Sequence, residues 1–178
     1  SSDVCSSDLS MQENPVSIKQ KIAIDAAKRT DSKNQFDIVA NGGDPMIPTV
    51  AGILSTASAQ TKVILAGGTQ MAAVLAFGKI TGYHRDNVAL ATTSYVTDDK
   101  SATLVNMISQ IDEIPLFSVK LGLGNSKING LREFANGFVK EGVGAGGASL
   151  AAMLKIGIEA ENLLTMTEKQ YLELFHSN

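Results

Sequence analysis

"TKVILAGGTQMAAVLAFGKI", residues 61–80, decides the fold. Its first part, 61–68, is a short apolar run that stops abruptly at Gly67 and Gly68. Such a run reads as a strand buried on both faces, as in a parallel sheet. The second part, 69–80, carries apolar residues at helical spacing. Strand, glycine turn and helix make the first half of a βαβ unit.

The same alternation extends outward. Residues 87–96 and 114–121 read as further strands, and 101–111 as a helix capped by Ser101 or the Asp before it. Residues 129–140 read as a helix loosened at Gly137. Upstream, 15–29 and 47–59 read as helices, with Pro48 suited to a first turn. Residues 31–45 read as a loop, a short helical turn and a Gly-Gly corner. Downstream, 149–164 reads as one long helix, and 167–175 as a second opened by a capping box at Thr167 and Gln170. The fold class is α/β, a parallel sheet with helices on both faces, Rossmann-like. Such sheets bind ligands beyond the carboxyl ends of their strands. The turn after 61–66 and the loop after Val96 therefore stand where a site belongs.

Composition narrows the function. A chain of 178 residues suits one domain with a sizeable core. Hydrophobic residues make up 44% and charged residues 19%, a globular rather than a disordered profile. The net charge of −3, with no basic run and no Trp, argues against a nucleic-acid partner. No apolar run reaches the roughly 18–20 residues of a membrane span. Cys5 is the single cysteine, and His84 and His176 show no ligand spacing, so no metal site is expected. The expected setting is cytoplasmic. Residues 1–9, "SSDVCSSDL", repeat Ser-Ser-Asp and read as an adaptor-derived artefact, which implies that the protein extends further upstream.

"VKEGVGAGGAS", 139–149, sets Glu141 beside Gly142, Gly144, Gly146 and Gly147. The glycines satisfy G-x-G-x-x-G, but the strand that should precede a dinucleotide fingerprint is missing. As helix caps they are too many, since each costs roughly 0.5–1 kcal/mol of backbone entropy. Their number points to something approaching the backbone closely. A helix starting beyond them aims N–H groups and a positive dipole end at an anion such as phosphate. Glu141 is either a solvated acid paired with Lys140 or Lys155, or a proton acceptor over a glycine floor. Gly42, Gly43 and Asp44 form a turn, and Gly67, Gly68 and Thr69 a second glycine corner. Three glycine-rich turns in one small domain favour a phosphate-bearing ligand. His84 reads as a loop histidine, 122–126 as a turn, and Met71, Met107 and Met153 as core.

"NGGDPMIPTVAGILSTAS", "KVILAGGTQMAAVLAFG" and "VKEGVGAGGASLAAMLKIG" occur here in this order. Together they resemble the carboxyl half of the nicotinate-nucleotide:dimethylbenzimidazole phosphoribosyltransferase family, in its archaeal and cyanobacterial branch, over roughly residues 15–165. The resemblance implies a truncated fragment, with 10–148 part of the large α/β domain and 149–178 the C-terminal helices of a small helical domain. It implies a metal-free homodimer that uses no cofactor. The reaction moves the phosphoribosyl group of nicotinate mononucleotide to 5,6-dimethylbenzimidazole or a related base. The products are nicotinate and α-ribazole 5′-phosphate, a step in cobalamin lower-ligand assembly.

The family's catalytic glutamate lies in an E-G-x-G-A motif that falls on Glu141, Gly142, Gly144 and Ala145. The resemblance makes Glu141 the base that takes the proton from the attacking benzimidazole. It places Gly142, Gly144, Ala145, Gly146, Gly147, Gly67, Gly68 and Thr69 around the mononucleotide. Gly42, Gly43 and Asp44 fall on the aromatic-base side or support the dimer. The family's upstream glutamate and glycine-rich motif has no counterpart here, so the isolated chain is expected to be feeble or inactive. It is also expected to expose apolar surface and a sheet edge. The alternative function is a nucleotide- or phosphate-binding module without chemistry.

Overall fold

The computed structural model describes residues 16–29, 33–99, 103–136 and 144–175, with side chains from Lys21 onward. Three helices come first: α1 (Val16–Ala27), α2 (Gln35–Gly42) and α3 (Met46–Ser58). Then β1 (Val63–Ala66), α4 (Thr69–Thr81), β2 (Val88–Thr93), α5 (Ser94–Thr97), α6 (Leu104–Ile111) and β3 (Leu116–Val119) alternate. Helices α7 (Asn129–Ala135), α8 (Ala145–Ile156) and α9 (Ala160–Phe175) complete the described chain.

The strands form one parallel sheet in the order β1-β2-β3. Val63 pairs with Val88 through to Ala66 with Ala91, and Leu90 with Leu116 through to Thr93 with Val119. Alternate side chains point to opposite faces, and each face has its own core. On the first, Leu65, Val88 and Leu90 pack with Ala72, Val74 and Leu75 of α4, Leu104 and Ile108 of α6, and Leu54 of α3. Fully burying a leucine is worth about 1.5–3 kcal/mol, so Leu54, Leu75, Leu90 and Leu104 anchor this layer. On the second, Val119 joins Leu121, Leu123 and Leu163, with Phe134, Leu150 and Met153 against them. This is the expected α/β architecture with helices on both faces. Met71, Met107 and Met153 pack against these cores. Among the described residues both outer strands have an unpaired edge, and Phe117 on β3 is 45% exposed.

Four local expectations are corrected. Strand β2 stops at Thr93, because residues 94–97 turn into α5. Tyr95 and Val96 look strand-like in sequence. In fact the Tyr95 ring packs edge-on against Phe134 at 5.6 Å, and its hydroxyl accepts a hydrogen bond from the Leu123 N–H. The expected single helix over 149–164 is two: α8 starts earlier, at Ala145, and ends where Gly157 takes φ 67°. A side chain at that angle is strained. Thr167 and Gln170 form no capping box. Thr167 lies inside α9, its Oγ1 donating to the Leu163 carbonyl at 2.7 Å, and Gln170 Nε2 donates to Glu173. Residues 35–42 are fully helical, because Asn34 Oδ1 accepts from the Phe36 N–H and starts α2. Ser101 and Gly137 lie outside the described residues.

Polar bonds tie the loops down at both ends of the sheet. At the amino end, the Tyr83 hydroxyl donates to Asp112 Oδ2 at 2.7 Å, and the His84 N–H donates to Ser58 Oγ. The Tyr83–Asp112 bond holds the Asp112 carboxyl below its usual range, while burial first and the same bond second raise the Tyr83 hydroxyl. Beyond β3, Glu168 of α9 accepts from Ser126 Oγ and from the Lys127 N–H, both at 2.6 Å. These bonds, Ser126 first, lower the Glu168 carboxyl below the usual glutamate range. A depressed carboxyl adds stability at neutral pH and loses it as pH falls through and below that range. Glu168→Gln is therefore expected to flatten the acid limb of stability, read as the urea midpoint against pH. An unchanged acid limb in the variant rules this out.

Candidate functional site

The carboxyl edge of the sheet is where two of the three glycine motifs meet. Strand β1 ends at Ala66, and the turn through Gly67 and Gly68 leads into α4 at Thr69. The Gly67 N–H donates to the Ala91 carbonyl at 3.1 Å, which holds this turn against β2. Helix α8 starts on the opposite sheet face, directly over the same strand ends. A Cβ built on Gly144 lies 3.7 Å from the Ala66 carbonyl oxygen. On Gly146 it would lie 2.5 Å from the Thr93 nitrogen, and closer still to the Thr92 carbonyl. On Gly147 it would lie 2.7 Å from the Ala66 Cα, and closer still to its Cβ.

The close approach that the glycine run calls for thus has a partner within the chain. Gly146 and Gly147 are buried, and main chain of β1 and β2 fills the space their side chains would take. Neither capping nor ligand approach is needed to explain glycine at these two positions. The helix start still presents the unpaired N–H groups of any first turn. Glu141 and Gly142 lie outside the described residues; in sequence Val143 separates Gly142 from Gly144.

The third motif is placed differently. Gly42 packs on Ala26, the Gly43 N–H donates to the Val39 carbonyl, and Asp44 Oδ1 accepts from the Met46 N–H at 2.8 Å. Helices α3 and α4 meet near their carboxyl ends, Leu54 against Gly78 and Ser55 Oγ donating to the Thr81 carbonyl. Turn formation and packing account for these residues locally.

One feature escaped the sequence reading. Thr92 and Thr93, at the tip of the central strand, are both 0% exposed, and neither Oγ1 has a hydrogen-bond partner among the described residues. An unpaired buried hydroxyl costs about 1–3 kcal/mol, so two adjacent ones at a strand's carboxyl end call for a reason. The only sequence signal is a polar pair, "ATTS", closing an otherwise apolar strand. Among the described residues no three His, Cys, Asp or Glu side chains converge as metal ligands, and no helix is long and apolar enough to cross a membrane.

No protein-family model matches the chain. It is similar to proteins named UPF0284. One from Methanosarcina mazei is 36% identical over 166 residues, covering 89% of this chain and 47% of the relative. One from Thermococcus gammatolerans is 37% identical over 168 residues, 91% of this chain and 49% of the relative. One from Crocosphaera subtropica is 41% identical over 142 residues, 76% of this chain and 38% of the relative. The chain spans about half the length, or less, of these curated relatives. Over most of its own length, then, the chain is a relative of the UPF0284 proteins of archaea and cyanobacteria.

Proposed function

We propose that the chain carries part of the active site of a phosphoribosyltransferase. The donor is nicotinate mononucleotide and the acceptor 5,6-dimethylbenzimidazole or a related base. The observation that carries this reading is the convergence at the carboxyl edge. Gly144–Gly147 and Gly67–Thr69 are distant in sequence, yet both lie over the ends of β1 and β2. That is where a parallel sheet receives a ligand. The start of α8 favours the mononucleotide phosphate, through its dipole and free N–H groups.

Nicotinate is a good leaving group, because the pyridinium nitrogen becomes neutral when its bond to C1′ breaks. The acceptor attacks C1′ through one ring nitrogen and sheds the proton on the other. In this proposal Glu141 takes that proton, and holding the two substrates together supplies much of the remaining rate. The 42–44 turn stands on the acceptor side or supports a homodimer. The whole reaction belongs to a protein of the relatives' full length, cytoplasmic and serving cobalamin lower-ligand assembly.

Calorimetric titration of the chain with nicotinate mononucleotide tests the reading, followed by chromatography for nicotinate and α-ribazole 5′-phosphate. Binding with slow or no turnover is the expected result for the chain alone. No binding of the mononucleotide sinks the reading. Turnover at the rate of a full-length relative sinks the claim that the chain is only part of the site.

A further inference from the structure

We propose that Thr93 is a ligand-binding residue, its hydroxyl joining the first N–H groups of α8 to hold the phosphate of the mononucleotide. The inference rests on the phosphoribosyl reading above and adds to it a side chain that no motif contains. Thr93 keeps the extended backbone of β2, with φ −86° and ψ 154°. Its side chain therefore shares a face with Ala91 and with its neighbour Val119, which packs in the core that includes Ala145 and Leu150 of α8. The Cβ built on Gly146 falls 2.5 Å from the Thr93 nitrogen, so this residue lies directly beneath the first turn of α8.

Helix α8 has 12 residues and starts at Ala145. Its leading N–H groups lack intrahelical partners and sit at the positive end of the dipole. Beside them is a threonine that is 0% exposed and whose Oγ1 has no partner among the described residues. A donor hydroxyl and helix-start N–H groups at one spot match an anion. Valine has nearly the same shape and would leave nothing unpaired. On this face, unlike that of Thr92, the hydroxyl stands beside helix-start N–H groups, the combination that an anion fills.

Thr92 supplies the control. It is equally buried and equally unpaired, but it points to the opposite face, toward α4 and α6.

The test compares the wild-type chain with Thr93→Val, Thr93→Ser and Thr92→Val. Melting is followed without ligand, and calorimetry measures nicotinate mononucleotide and, separately, inorganic phosphate. Both valine variants are expected to melt higher than wild type, by roughly 2–8 °C. Thr93→Val is expected to bind both ligands roughly 10- to 100-fold more weakly, the worth of a hydrogen bond to a charged group. Thr93→Ser keeps most of the affinity, and Thr92→Val keeps all of it. If Thr93→Val does not fold, Thr93→Ala serves as the variant without a hydroxyl. Equal binding by wild type and Thr93→Val overturns the inference and leaves the phosphoribosyl reading intact. Phosphate binding that needs Thr93, without mononucleotide binding, upholds the anion site and sinks the phosphoribosyl reading. Failure of wild type to bind either ligand overturns both.

Discussion

Gly146→Ala is expected to lower the melting temperature by roughly 6–12 °C, the largest stability effect of a methyl added at any of the described glycines. The new Cβ would stand 2.5 Å from the Thr93 nitrogen and closer to the Thr92 carbonyl. Those atoms belong to the main chain of the central strand, which pairs on both sides, so neither can move aside alone. Overpacking against side chains costs about 1–3 kcal/mol. Against fixed backbone the upper end or beyond applies, at roughly 2–4 °C per kcal/mol for a chain of this size. Gly52→Ala is the matched control. It lies inside α3 with nothing within 4 Å of the added carbon. The better helix propensity of alanine should raise the melting point by roughly 1–4 °C. A Gly146→Ala protein that melts within a degree of wild type removes the described seating of α8.

Glu141→Gln is expected to slow turnover roughly 10²- to 10⁴-fold, while the dissociation constant for nicotinate mononucleotide stays where it was. Glutamine keeps the shape and the hydrogen-bonding length of the side chain but cannot accept the acceptor's proton. The measurement belongs in whatever length of the polypeptide turns over the substrates, with kcat and binding determined separately. Loss of binding along with rate makes residue 141 part of the phosphate site rather than a base. An unchanged rate removes Glu141 as the base.

The sheet was legible because its central strand is buried on both faces and the strand before it is apolar throughout. Val63–Ala66 and Val88–Ala91 are therefore unbroken apolar runs, and glycine punctuates the first of them. The two breaks that went unread have local causes that mimic something else. Ile156-Gly157-Ile158 keeps an apolar rhythm across a residue that in fact stops α8. Thr167 and Gln170 have the spacing of a capping box, but they follow an α9 that is already under way. At the site, sequence showed that Gly142–Gly147 must be bare. It could not show what comes close to Gly146 and Gly147, because those partners are the ends of β2 and β1, far away along the chain. The hydroxyls of Thr92 and Thr93 were invisible for the same reason: being unpaired is a property of three-dimensional surroundings.

The seat beneath Gly146 and Gly147 also constrains the order of assembly. Its surface is main chain from Ala66 on one strand and Thr92 and Thr93 on the next, so it exists only after β1 and β2 have joined in register. Helix α8 cannot nucleate that pairing; it can only lock it afterwards. The last helices then act as a latch closed late in folding, and any loosening of the protein should start there and reach the central strand last.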